Sequence, residues 1–197
     1  MKIAWVVRIA RTILRFAQVE HSRYRPPSAR DLRGLLLRNT FMPCQIGDRA
    51  PVFSLPRKPG EVVDVGALMG KEKVVLLFFP LAFSPVCTVE MCTFRDSWSK
   101  WTALGAKVFA ISVDSPYVTE KFQQSENLPF PVLSDFNKTV SASYGALHED
   151  LGGMKGVSKR SAFVIGSDGT IAFAWISEDP RVQVDFEAVS SAVANAK

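Results

Sequence analysis

The eight residues Pro80-Leu81-Ala82-Phe83-Ser84-Pro85-Val86-Cys87 set a thiol just past an apolar run, in what reads as the first turn of a helix. A thiol so placed is a candidate nucleophile, because unpaired backbone N–H groups and the positive end of the helix dipole stabilise a thiolate. A second cysteine, Cys92, follows five residues later. A reactive thiolate also needs a hydroxyl to orient the incoming group, a cation, and a shield from bulk water. Ser84, three residues before Cys87, offers a hydroxyl that can both accept from and donate to a bound oxygen. Pro80 ends the apolar run and can help cover the thiol.

The cation must come from elsewhere, since an α/β fold draws site partners from other strand ends. Beyond residue 41 the arginines are Arg49, Arg57, Arg95, Arg160 and Arg181. Arg160 stands directly before the apolar run Ala162-Phe163-Val164-Ile165 and could donate to both a sulfur and an oxygen of an incoming group while staying charged. A solvated residue flanking a strand is the competing reading, which position alone favours. Glu90, three residues past the thiol, reads equally as an ordinary first-turn glutamate or as a cap or arginine partner.

The elements that would position these residues alternate. Val74 to Phe79 is a continuous apolar run, as expected of a strand buried on both faces. Pro85 to Leu104 reads as one helix, with Phe94, Trp98 and Trp101 at helical spacing and Gly105 as its stop. Val108 to Val113 and Phe130 to Leu133 are expected strands, with Thr119 to Ser125 and Asn137 to Tyr144 as helices. Ser161 to Ile165 and Thr170 to Ile176 predict a hairpin across Ser167-Asp168-Gly169, before a helix from about Val184 to Ala196. Ahead of these, Ile46 to Pro56 reads as an extended segment with turn residues, and Val62 to Val65 as a short strand. The pattern predicts an α/β fold with a mixed central sheet and flanking helices.

At 197 residues, with 47% hydrophobic and 22% charged composition, the chain suits a single well-buried core. Its formal charge of +5 is unevenly spread. Residues 1–41 hold nine Lys or Arg against two acids, whereas residues 42–197 hold 15 against 17. A net acidic body gives no reason to expect nucleic-acid binding. The first 17 residues form a basic amphipathic pattern with Arg8, Arg11 and Arg15 at helical spacing, too interrupted for a membrane span or a signal-peptide core. Residues 1–41 therefore read as a targeting or surface-anchoring extension, as sequence ahead of a true start at Met42, or as an integral structural element, and any membrane contact would run through them. Residues 42–197 read as the folded domain. Three cysteines, Cys44, Cys87 and Cys92, are too few and too irregular for a secreted disulfide framework, and suggest a reducing compartment. That favours a cytoplasmic location, or an organellar one if residues 1–41 are a targeting segment. His21 and His148 have no metal-ligand spacing to the thiols, and neither a metal nor a cofactor is expected. Cys44 reads as lying before the fold proper.

Pro80, Ser84 and Cys87 match the Pro-x-x-x-Thr/Ser-x-x-Cys motif of the peroxiredoxins, which the chain resembles over residues 46–197. The likeness extends through Ile111-Ser112-Val113-Asp114-Ser115, Pro131-Val132-Leu133-Ser134-Asp135 and Arg160 to Ile165. Phe79 to Phe83 looks most like the AhpE branch, and the cysteine spacing also resembles the bacterioferritin comigratory protein branch. The resemblance implies a thioredoxin fold and thiol-dependent reduction of hydroperoxides. It assigns the peroxidatic role to Cys87, peroxide orientation to Ser84, shielding to Pro80 and the activating cation to Arg160. Glu90 matches an acidic position of these branches. Ser84 departs from the commoner threonine, losing a methyl that restricts the rotamer.

The resemblance also implies that Cys92 resolves the oxidised thiol and that a thioredoxin, a glutaredoxin-like protein or another thiol donor then resets the enzyme, often as a homodimer. With no cysteine after Cys92, a resolving thiol on a C-terminal extension is not expected. On an intact helix the two Cα atoms would lie ~8.7 Å apart, whereas a disulfide needs about 4.4–6.8 Å. Resolution by Cys92 would thus require the first turns to unwind, as suits a helix start with few buried contacts. Alternatively, Cys92 is a small buried hydrophobe beside Met91 and Phe94, and an external thiol resolves. A non-enzymatic redox sensor using the same thiols is the competing function.

Overall fold

The structure, a computed structural model, describes residues 43–197, so the amphipathic helix expected over residues 1–17 lies outside the described residues. A five-stranded sheet runs in the order β5-β4-β3-β6-β7, formed by β3 (Lys73–Phe78), β4 (Ala106–Ser112), β5 (Val132–Ser134), β6 (Ser161–Ile165) and β7 (Ile171–Ile176). It is mixed: β3, β4 and β5 are parallel, while β6 runs antiparallel to β3 and β7. At its centre, β3 is buried on both faces, as its unbroken apolar run requires.

The period of two along β3 sorts its side chains into two cores. Val75, Leu77 and Phe79 face α1 (Pro85–Asp96), α2 (Trp98–Ala103), α3 (Pro116–Ser125) and α5 (Phe186–Asn195), through Met91, Phe94, Trp101, Phe122, Val189 and Val193. Val74, Leu76 and Phe78 face Tyr144, Phe163 and Val140 of α4 (Thr139–Ser143). The second core is closed by a separate hairpin, β1 (Ser54–Lys58) with β2 (Glu61–Asp64). No helix among the described residues is long and apolar enough to cross a membrane.

Several sequence expectations need correction. The helix expected over Pro85 to Leu104 breaks at Ser97 into α1 and α2. The Ser97 hydroxyl donates to the Thr93 carbonyl at 3.0 Å and accepts from the Trp101 indole at 3.2 Å, competing with the helix ladder. The helical spacing of the aromatics survives the break because the Phe94 and Trp101 rings stack with centroids 4.1 Å apart. Ser54–Lys58 is a strand where only an extended segment was expected; Pro56 masks it, and a register shift beside that proline accommodates the missing N–H. Cys44 is part of the fold, its N–H donating to Tyr144 O and its thiol to Ser143 O, each at 3.4 Å.

Helix α5 carries a side-chain N-cap: an Asp185 carboxylate oxygen accepts from the N–H groups of Glu187 and Ala188 at 2.9 and 3.2 Å. Asp185→Ala should therefore lower unfolding stability by about 1 kcal/mol, read by urea denaturation, without altering thiol chemistry.

Candidate active site

The loop after β3 is tied down before it enters α1. Phe79 N–H donates to Ile111 O of β4 at 3.0 Å, and Ala82 N–H donates to Asp114 Oδ2 at 2.7 Å. The same Asp114 oxygen accepts from the Ser112 hydroxyl at 2.8 Å, so the carboxylate is itself fixed. Between these anchors Pro80 is buried and Phe83 takes a left-handed φ of 63°, its ring edge-on against buried Phe122 with centroids 5.1 Å apart. A left-handed backbone is costly for a bulky residue and is held here by its neighbours.

Ser84 is the N-cap residue of α1 and Pro85 its first residue, the position at which a missing N–H costs least. The Ser84 hydroxyl does not cap the helix; it donates to Leu81 O at 2.9 Å. Its lone pairs remain free to accept from a donor at the site, and the first-turn N–H groups remain for an anionic sulfur or oxygen. Cys87, the third residue of the helix, is only 1% exposed.

Arg160 reaches Cys87 because of sheet topology. Antiparallel pairing sets Ser161, the first residue of β6, opposite Phe78, the last of β3, so the residue before β6 lies beside the thiol loop. It is a buried side chain, not a solvated flank. Its Nη2 donates to Cys87 Sγ at 3.2 Å, its Nη1 bonds Glu90 Oε2, and Nε and Nη2 both donate to Pro180 O, at 3.1 and 2.9 Å. The planar guanidinium thus has its fork fixed on one side, leaving the other directed at the sulfur.

Glu90 is as buried as Arg160. Burial pushes its carboxyl up, while Arg160 and the Val184 N–H pull the other way without fully offsetting it. For Arg160, burial works against the charge, but Glu90 and Cys87 more than compensate, so the guanidinium stays protonated. Buried Glu90, Met91 and Phe94 also correct the expectation that the start of α1 has few buried contacts. Opening this helix must disrupt packed side chains.

Cys92, on the same unbroken helix, is half-buried, and its thiol donates to Glu126 Oε2 at 3.5 Å. All three cysteines are free thiols. The structure therefore joins Cys87, Arg160 and Glu90 by direct contact, puts Ser84 and Pro80 on the loop leading to the thiol, and sets Cys92 against another partner. Sequence reasoning missed the Pro180 carbonyl, the Val184 N–H, Asp114 and Glu126. Asp114 alone left a signal, as the acid at the end of an apolar strand run; backbone groups of an irregular loop leave none.

A free buried thiol at a helix start, beside a fixed guanidinium on a five-stranded mixed sheet, defines a thioredoxin-fold thiol enzyme. Residues 46–174 match the AhpC/TSA family model, and the chain belongs to that family, the peroxiredoxins, which are thiol-dependent peroxidases. It is 39% identical over 146 residues to a bcp peroxiredoxin of Coxiella burnetii, covering 73% of this chain and 93% of that one. It is 36% identical over 131 residues to peroxiredoxin Bcp of Escherichia coli, covering 66% and 83%. Among solved structures, peroxidoxin BcpB of Mycobacterium tuberculosis superposes with a TM-score of 0.65 at 31% identity, covering 77% of this chain and 95% of that one. Of the two branches read from the motif, these names belong to the bacterioferritin comigratory one.

Proposed function

We propose that residues 42–197 reduce hydrogen peroxide and organic hydroperoxides through a sulfenic acid on Cys87, which Cys92 then resolves. The observation that carries this reading is the contact between Arg160 Nη2 and Cys87 Sγ, made by a guanidinium that Glu90 and Pro180 hold in place. The Cys87 thiolate attacks the distal, O–H oxygen of the hydroperoxide, and the S–O bond forms as the O–O bond breaks. The other oxygen leaves with the proton of that O–H group as water or an alcohol, and the sulfenate takes a proton from solvent to become the sulfenic acid. Arg160 and the first-turn N–H groups stabilise the charge that develops on the departing oxygen. Ser84 orients the peroxide and Pro80 shields the thiol from bulk water.

In the second step the Cys92 sulfur attacks the sulfenic sulfur. The S–S bond forms as the S–O bond breaks, and the hydroxyl leaves with the Cys92 proton as water. Both cysteines lie on an intact helix, so the turns from Cys87 through Cys92 must open for this step. A thioredoxin, a glutaredoxin-like protein or another dithiol donor then returns both thiols by exchange. Cytoplasmic operation suits such a donor, and a homodimer suits the family. Turnover with a reductant separates this enzyme from a redox sensor that uses the same thiols.

Replacing Cys92 by serine tests the resolving step. After one equivalent of hydrogen peroxide, Cys92→Ser should lose the Cys87-Cys92 disulfide while oxidising Cys87 at an unchanged rate, as read by quenched mass spectrometry. A disulfide at Cys87 that survives the substitution would assign resolution to another thiol.

A further inference from the structure

Two bonds hold the Cys92 end of α1 to one residue of a different element. The Cys92 thiol donates to the Glu126 carboxylate at 3.5 Å, and Arg95 Nη1, almost one turn further on, donates to the Glu126 backbone carbonyl at 2.7 Å. Glu126 is the C-cap residue of α3, outside the helix that must open. Cys92 lies about 140° around the helix from Cys87, so these ties are separate from the contacts of Arg160 and Glu90 with the thiol site.

We propose that Glu126 is a positioning residue of the peroxidase cycle: with Arg95 it clamps the Cys92 end of α1 and so sets how often that helix opens. The proposal rests on the resolving role of Cys92 given above. While docked, the Cys92 thiol is pushed toward its protonated form by burial and by Glu126, with Asp96 adding to the effect and Arg95 opposing it. A docked thiol is thus a poor nucleophile. Opening releases it from the carboxylate and frees it to attack. The clamp therefore divides oxidised Cys87 between the disulfide and the sulfinic acid, because a sulfenic acid kept waiting meets a second hydroperoxide.

The test compares the full chain with Glu126→Ala and Glu126→Gln by three measurements. Amide hydrogen exchange over residues 88–95 of the reduced protein reads the clamp directly. The rate of Cys87-Cys92 disulfide formation after one equivalent of hydrogen peroxide reads its effect on the cycle. The pH midpoint of Cys92 alkylation, taken in a Cys87→Ser background, reads the carboxylate. Glu126→Ala should speed both exchange and disulfide formation by about threefold to tenfold, the effect of losing one modest hydrogen bond. Glu126→Gln, which keeps an acceptor oxygen, should restore slow exchange yet still lower the alkylation midpoint. Glu126→Ala leaves the Arg95 bond to the backbone carbonyl in place, so unchanged exchange in that variant would overturn the positioning role of the Glu126 side chain, as would slower disulfide formation. If the unmutated chain forms no Cys87-Cys92 disulfide, the resolving role fails, while exchange and midpoint still decide the clamp.

Discussion

Arg160→Met slows the oxidation of Cys87 by hydrogen peroxide by about 10²–10³-fold, the usual loss when one fixed donor is removed from developing charge in a water-poor site. Methionine keeps most of the buried volume but supplies no donor to the sulfur or to the departing oxygen. The buried setting makes the loss large, since Cys87 and Arg160 are each only 1% exposed and bulk water is a poor substitute there. Arg160→Lys should recover only part of the rate. One ammonium keeps the charge, but it cannot reproduce the planar fork that meets Cys87, Glu90 and Pro180 O together. Stopped-flow measurement of the second-order rate constant reads both variants, and an Arg160→Met rate within about threefold of the parent would exclude the guanidinium from the chemistry.

Glu90→Ala lowers unfolding stability by ~3–5 kcal/mol, because it leaves the Arg160 charge buried without its carboxylate. The two side chains are almost fully enclosed and in direct contact, so no water replaces the lost partner. The effect reaches the chemistry too. Arg160 would keep only the Pro180 carbonyl as a tether, and the aim of its Nη2 at Cys87 would loosen. Glu90→Gln should cost less, as its amide oxygen still accepts from the guanidinium. Urea unfolding of the reduced proteins measures the difference, and a loss below about 1 kcal/mol for Glu90→Ala would mean that the pair does not hold this site.

The sequence carried the central sheet well because its signals are local. The Val74 to Phe79 run, the helix-start serine and proline at Ser84-Pro85, and the turn at Ser167-Asp168-Gly169 each specify an element without help from distant residues. The break at Ser97 was not legible, since the helical periodicity of Phe94, Trp98 and Trp101 continues through it. The strand around Pro56 was hidden by a residue that normally argues against strands. At the site, Cys87, Ser84 and Pro80 share one short motif and could be read together. The contact of Arg160 with Cys87 comes from pairing β6 against β3, a relation between residues 73 apart. Pro180 O and the Val184 N–H are backbone groups of a loop, and no side-chain pattern announces them. Glu126 looks like any charged residue after a helix until the fold sets it against Cys92.

The peroxidatic role of Cys87 is tested most directly by mass spectrometry of the full chain after one equivalent of hydrogen peroxide, with and without a sulfenic-acid trap. The expected result is rapid oxidation confined to Cys87 at first, captured as the trap adduct or, without trap, as a Cys87-Cys92 disulfide lacking two hydrogens. Slow oxidation of Cys87, or oxidation that begins at Cys92 or Cys44, would contradict the peroxidatic assignment.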